Sequence, residues 1–426
     1  MRLLLFIYFT LIISTVKSQS LPAPDSIPQK IKIGGEIRWQ YFYLKNENWG
    51  NALKDNDGYF LQRSLIHATL NNSGKVKGHI ELQSSLINGK ANTSPVEENP
   101  LELHQAYADI QILQNKRTSV LFRIGRQELS YGSQRLVSVR EIPNNRQSFD
   151  GIKISHQSTT TKLDIFYVHY VNAKKGFFDD RSGRQVKLWS VYFVQKDLFK
   201  NLNIDLYYFG LYKEQAVFDD GSGEEKRQSF GSRIWGKTKL VNYDVEAVWQ
   251  YGRLSKKQIT AWTLSLNVNK KWNDIKGKPE LGLKSELISG NKQYSDGKLE
   301  TFNPLFPRGA YFGLAAFIGP VNLADIHPSF SFDMYNNLRC NIEYDRFWRF
   351  SLQDGIYAPN MSLLYSGSNN PYKLIGSQYS GDVRYSLSST CSFRAELTWF
   401  RPGDYLQKAG AKKDIFFTGL TATYHF

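Results

Sequence analysis

Between residues 243 and 251, Tyr243, Val245, Ala247, Trp249 and Tyr251 alternate with Asp244, Glu246 and Gln250. The same period of two recurs at 258–270, where Trp262, Leu264, Leu266 and Val268 oppose Thr263, Ser265, Asn267 and Asn269. It recurs again at 391–400, with Phe393, Ala395, Leu397 and Trp399 against Arg394, Glu396 and Thr398. In the last segment Phe416, Thr418, Leu420, Ala422, Tyr424 and Phe426 oppose Phe417, Gly419, Thr421, Thr423 and His425. A period of two is that of a β-strand, so each segment presents one apolar and one polar face. Charges fall repeatedly on the polar face. The core of a sandwich would not tolerate them unpaired, whereas water enclosed by a wall would.

Eighteen such segments are predicted, at 32–43, 60–70, 76–87, 101–113, 118–125, 149–157, 161–170, 186–195, 201–212, 228–239, 243–251, 258–270, 279–288, 327–335, 338–353, 378–388, 391–400 and 414–426. The connectors after even-numbered segments are tight, as at Asn336-Asn337. Those after odd-numbered segments are mostly long and polar: 44–59, 88–100, 126–148, 171–185, 213–227, 289–326, 354–377 and 401–413. Short turns at one end and long loops at the other are the signature of a transmembrane antiparallel β-barrel with short periplasmic turns and long extracellular loops. A soluble sandwich, with the last segment as an edge strand, gives no reason for the asymmetry. Eighteen strands enclose a lumen wide enough for water. A final strand ending on an aromatic also resembles the terminal strand that the barrel-assembly machinery reads in bacterial outer-membrane barrels. That resemblance makes Phe426 a contact for that machinery.

Residues 1–18 read as a secretory signal: Arg2, an apolar run from Leu3 to Val16, and a small-residue cleavage pattern at Val16-Lys17-Ser18. Residues 19–31, with Pro22, Pro24 and Pro28, read as a periplasmic tail too short for a plug domain, and 32–426 as the barrel. No stretch reaches the ~18–20 apolar residues of a spanning helix. The net charge of +15 points to an anionic partner such as an acidic saccharide, an organic anion or lipopolysaccharide phosphate. The export signal excludes nucleic acid. The 25 Tyr, 27 Phe and 9 Trp suit aromatic girdles at the lipid interfaces. The two cysteines, Cys340 and Cys391, are placed on non-adjacent strands and read as unpaired.

The most specific local motif is Gly125-Arg-Gln-Glu-Leu129, then Gly132-Ser-Gln-Arg-Leu136, then Arg146-Gln-Ser-Phe-Asp-Gly151. This run resembles, almost completely, that of the alginate export family of outer-membrane β-barrel porins. Looser support comes from Phe302-Asn-Pro-Leu-Phe-Pro-Arg-Gly-Ala-Tyr-Phe-Gly313, Gly319-Pro-Val-Asn-Leu323 and Phe347-Trp-Arg349. The resemblance implies an eighteen-stranded barrel whose constriction is lined by Arg and Lys and passes a polyuronate.

From the residues themselves, Arg126, Arg135, Arg140 and Arg146 crowd one connector, and guanidinium groups present a permanently charged fork suited to carboxylates. A loop folded into the lumen would make them a constriction. A loop left outside would make them a lipopolysaccharide contact. Inward parity adds Arg123, Arg38, Arg63, Arg339, Arg349, Arg384 and Arg394 as anion-binding candidates, with Arg233 on the same face. Glu36, Glu81, Asp244, Glu246, Glu343, Asp345 and Glu396 share it, so many of these arginines are expected to brace the wall. Only those without a carboxylate opposite could hold a passing anion.

Other chemistry is sparse. Asp55, Asn56, Asp57 and Gly58, and the Asp219 to Glu224 run, have Ca²⁺-loop composition but are more often solvated turns. The seven His never fall at zinc spacing, and no metal or cofactor is expected. No nucleophile elbow or phosphate loop is present. The function expected is passive diffusion of anionic solutes across the outer membrane, not catalysis. Two rivals are a phospholipase-type barrel using His156 or His169, and a surface glycan-binding or adhesion barrel using loops 289–326 and 354–377.

Overall fold

The computed structural model describes residues 31–52, 58–72, 74–90 and 92–426. The segments expected to be a signal and most of a tail lie outside the described residues, as do Asp55, Asn56 and Asp57.

The alternating segments form eighteen antiparallel strands: β1 Ile31–Lys45, β2 Tyr59–Asn72, β3 Val76–Asn88, β4 Asn99–Gln114, β5 Thr118–Gln127, β6 Phe149–Ser158, β7 Thr161–Asn172, β8 Arg181–Phe199, β9 Leu202–Phe218, β10 Gly221–Lys237, β11 Asn242–Leu254, β12 Lys257–Lys271, β13 Glu280–Ile288, β14 Leu323–Tyr335, β15 Leu338–Arg349, β16 Leu374–Ser386, β17 Cys391–Pro402 and β18 Ile415–His425. Each pairs with its neighbour in sequence. β1 pairs with β18 from Glu36↔His425 to Lys45↔Phe416, which closes the barrel and leaves no open edge. One short helix, α1 (Asp404–Lys408), lies between β17 and β18.

The two faces separate as the alternation requires. Ile66, Ile80, Ile124, Ile152, Trp249, Leu397 and Leu420 are exposed on the outside, an apolar surface that only lipid would cover. Outward aromatics stack across strands, as in Tyr379–Trp399 (5.2 Å) and Trp399–Phe416 (6.0 Å). Such stacks form the interfacial girdles of a spanning barrel. Inward, Glu36, Arg38, Arg63, Asp205, Glu246, Asp345 and Glu396 are buried. Cys340 and Cys391 are free, on strands separated by β16.

The predicted loop at 213–227 is corrected. β9 and β10 run on past the others and turn at Asp219-Asp220, where Phe218 pairs with Gly221. Ala216 and Phe218 face inward there and pack with Leu254, Ile259, Leu299, Val321 and Tyr357, so a small apolar core above the membrane keeps both strands paired. The other long connectors remain at one end, and the tight turns at the other.

Candidate functional site: a lumen narrowed by two inward loops

The 128–148 connector folds into the barrel. Its first half carries Leu129, Tyr131, Leu136 and Val137, all buried against inward residues of β7 to β9 such as Phe166, Val168, Leu188 and Phe209. Apolar side chains on that inner wall give the loop a dry surface to lie on. Polar contacts fix its position: the Tyr131 hydroxyl donates to Asp164 (3.0 Å), and Arg135 pairs with Glu246 (3.3 Å) and with Glu286. Burial would lower the Arg135 pKa, but Glu286, Tyr311 and Glu246 outweigh it and hold it above its ordinary value. Gly125, inside β5, and Gly132, in the loop, take positive φ (128° and 54°), which glycine adopts without a Cβ penalty. Gly151 does not. A Cβ there would collide with Tyr167 and Val168, so its role is close strand approach.

The second half of the loop reaches β1 to β3 on the other side of the barrel. Arg38 and Arg63 each donate to the Glu141 carbonyl at 2.9 Å, and Asn144 Nδ2 lies 3.1 Å from the carbonyls of Gln62, Leu86 and Glu97. A second inward connector, 289–322, braces the first. Phe306 and Val137 form a parallel bridge, with Phe306 N–H donating to Leu136 O (2.8 Å) and Ser138 N–H to Phe306 O (3.0 Å). Further along, Phe312 stacks on His327 (5.1 Å), and Leu314 N–H donates to Glu396 (2.9 Å). Sequence reasoning had not assigned a pore role to this second loop. The signal was available in its density of apolar residues between Phe302 and Phe317.

The eleven candidate arginines sort by partner. Arg63 lies fully buried between Glu36 (2.7 Å) and Glu141. Arg38 sits 3.4 Å from Glu141, and Arg146 reaches Glu141 (2.5 Å), Glu36 (3.6 Å) and Glu128 (3.6 Å). This is a compact, charge-balanced cluster joining loop to wall. Burial alone would raise the Glu141 carboxyl, but Arg63, Arg146 and Arg38 outweigh it and hold it below its ordinary value. Arg123 pairs with Asp109 (2.6 Å), Arg339 with Glu280 and Asp333 (2.6 Å each), Arg384 with Asp382 (2.6 Å), and Arg394 with Glu396 (2.5 Å). Arg349 is buried over the Tyr405 ring (4.0 Å) and donates to backbone carbonyls, including Leu352 O (2.9 Å) and Tyr372 O. It is an internal anchor, out of reach of a solute. Arg233, too, is bound, to Asp205 and Asp244.

The last two candidates stand apart from these. Arg126 falls on the outward face with exposed Ile124, Ile152 and Ile154, paired to Asp150 (2.8 Å), because its parity on β5 is opposite to that of Arg123. Arg140 is the one candidate whose guanidinium has no hydrogen bond or ion pair among the described residues. It is half-buried, holds a left-handed backbone (φ 54°), and borders a cavity of about 380 Å³ between the two inward loops and the β1, β2 and β18 wall. Gln40, Phe42, Tyr59, Leu61, Asn144 and Phe417 line that cavity with it. Arg308, missed from the sequence, has no carboxylate partner either. It leans over the Tyr311 ring (4.9 Å) with its Nε unbonded.

The Asp219-Asp220 pair is already engaged: Asp220 takes Lys257 (2.5 Å) and Asn291 (2.8 Å), and Asp219 takes the Tyr294 hydroxyl (2.6 Å). Among the described residues neither His156 nor His169 bonds a serine hydroxyl, and His169 Nδ1 lies 3.2 Å from Gly183 O.

Three solved structures show how widely the architecture is shared. Pseudomonas aeruginosa OccK3 (OpdO) aligns with a TM-score of 0.62 at 12% identity, covering 94% of this chain and 97% of that one. P. aeruginosa OpdK with vanillate aligns at 0.62 and 10% identity, covering 94% and 100%. P. aeruginosa OccK2 (OpdF) in complex with glucuronate aligns at 0.61 and 10% identity, covering 93% and 96%. At these identities the likeness establishes the fold. No curated protein sequence matches the chain significantly. The alginate export family model matches residues 29–417, nearly the whole barrel and both inward loops. The chain belongs to the alginate export family of outer-membrane β-barrels.

Proposed function

We propose that this barrel lets anionic solutes, acidic saccharides or small organic carboxylates, diffuse passively past a constriction where Arg140 is an uncommitted cation. One observation carries the reading: on a wall whose other arginines are neutralised or buried, Arg140 stands without a partner beside open lumen space. Arg308 on the bracing loop supplies a second unneutralised guanidinium. A charge at ~5 Å in water is worth about 0.8 kcal/mol, so two enrich a carboxylate roughly tenfold. That is enough to favour anions and too little to trap them, as conduction requires. The neutralised Arg38, Arg63 and Arg146 cluster then serves to hold the loop, and the other bound arginines to stiffen the wall. The vanillate and glucuronate complexes of fold neighbours are both with carboxylates, which agrees with this solute class. Loop 289–322 is committed to lumen contacts, which favours a channel over a surface-adhesion role.

Single-channel recording of the purified protein in planar bilayers under a salt gradient tests the proposal. The expected reversal potential reports anion preference, and added glucuronate reduces chloride current. A cation-preferring reversal potential would overturn it.

A further inference from the structure

We propose that Glu102, Asp179, Asp180 and Asn99 form an extracellular binding site for a hard divalent cation, Ca²⁺, which fastens the 173–180 loop to the start of β4. The three carboxylates offer ligand oxygens that all lie within 4.8 Å of one another. Among the described residues no Lys, Arg or His side chain pairs with any of them, although the protein carries a net charge of +15. The nearby cations pair with other carboxylates: Arg126 with Asp150, touching Asp180 only at its backbone carbonyl (3.4 Å), and Lys175 with Glu98 (3.8 Å).

The folding of the loop brings these groups together. Phe178 N–H donates to Leu101 O (3.0 Å), and Leu101 and Phe177 form a parallel bridge. Glu102 Oε1 accepts the N–H groups of Asp179 and Asp180, so loop and strand meet edge to edge with their acids in contact.

A second observation points into the cluster. Asn99 is 99% buried, and its amide lies against Asp180, with Nδ2 donating to Asp180 Oδ2 at 2.8 Å, yet its Oδ1 has no donor. Asp179 Oδ1 is likewise buried without a hydrogen bond. Buried polar atoms of this kind are normally satisfied. A cation among the three carboxylates satisfies both, the Asn99 amide turning to present its oxygen. Four protein oxygens and no nitrogen or sulfur suit Ca²⁺ with water completing six to eight ligands, and do not suit zinc or copper.

The test uses the full-length barrel, purified in detergent and stripped with a chelator. Calorimetric titration with CaCl₂ in excess NaCl is expected to show one Ca²⁺ per chain with a Kd on the order of 10⁻⁴–10⁻³ M, and the thermal midpoint to rise with Ca²⁺. Asp179→Asn combined with Asp180→Asn, and separately Glu102→Gln, are expected to abolish both responses while keeping the mobility of a folded barrel on unheated gels. If the double variant does not fold, Asn99→Ala takes its place, with Ca²⁺ affinity expected to fall at least tenfold. Absence of saturable binding to the parent protein, or equal Ca²⁺ responses in parent and folded variants, would overturn the site.

Discussion

Phe426 and Gly35 are joined by a reciprocal pair of backbone hydrogen bonds, Gly35 N–H to Phe426 O at 2.9 Å and Phe426 N–H to Gly35 O at 3.1 Å. The pair sits at the tight-turn end of the seam where β18 meets β1, the contact that turns an open sheet into a barrel. The Phe426 ring lies directly over Gly35, where a Cβ would collide with both that ring and Leu65 O. Gly35→Val is therefore expected to cost about 1–3 kcal/mol by overpacking, and to open the seam first. Phe426→Ala keeps the backbone bonds and loses only the ring. The temperature at which the folded gel band converts to the unfolded one should fall more for Gly35→Val than for Phe426→Ala.

The partner pattern of the arginines separates selectivity from stability. Arg140→Ala removes an unpartnered charge, so the melting temperature should hold while the anion-to-cation permeability ratio falls several-fold. Arg63→Ala takes from Glu36, a carboxylate 7% exposed, its 2.7 Å partner and leaves it Arg146 at 3.6 Å. Losing one partner of a buried pair costs about 3–5 kcal/mol. Arg63→Ala should therefore lower the melting temperature clearly. Paired bilayer and melting measurements on the two variants check this. The opposite assignment of effects would mean that the free charge is not the selective one.

The junction of the two inward loops has its own weak point. A side chain at Gly309 would run straight into Ile142 O. Gly309→Ala should push the 289–322 loop away from the 128–148 loop, and the Phe306–Val137 bridge should loosen with it. Single-channel conductance is expected to rise and to become noisier, with the barrel itself still folded on gels. Unchanged conductance would show that this junction does not set the pore size.

Much of this was legible in the chain, and the exceptions share a cause. In the membrane the lipid and lumen faces impose opposite polarity, so a segment such as 243–251 declares itself by alternation alone. Above the membrane that contrast disappears. Glu224, Lys226 and Gln228 oppose Glu225, Arg227 and Ser229, both faces read as polar, and the β9–β10 hairpin was mistaken for a loop. The predicted strand stops at residue 125, which leaves Arg126 to the loop; β5 runs on to Gln127, and there parity turns Arg126 outward. The basic loop was readable because its arginines are local. Apart from Glu128, Glu141 and Asp150, the partners that neutralise them are not: Glu36, Glu246 and Glu286 come from β1, β11 and β13. Only the barrel's closure shows that Arg140 alone of the eleven is left over. Glu102 and Asp180 are distant in sequence and meet because the 173–180 loop folds back along β4, so nothing in the local composition announces them.

Glu141 gives the constriction a pH limit, and its sign follows from the shift. Its carboxyl is held below the ordinary value of 4.5 by Arg63, Arg146 and Arg38 acting against burial. A depressed carboxyl contributes stability that is fully present above the unfolded-state value and is lost as pH falls through the lowered folded one. Conductance and selectivity should therefore stay flat from pH 7 to about 5. As pH falls below 4.5 and through the lowered folded value, protonation of Glu141 should loosen Arg146, the more exposed of its partners, which then keeps only Glu36 and Glu128 at 3.6 Å, and raise anion preference. Glu141→Gln should show that higher preference already at pH 7, with no further step on acidification. Reversal potentials recorded between pH 7 and 3.5 decide the matter, and an identical acid response in the two proteins would assign the titration to another group.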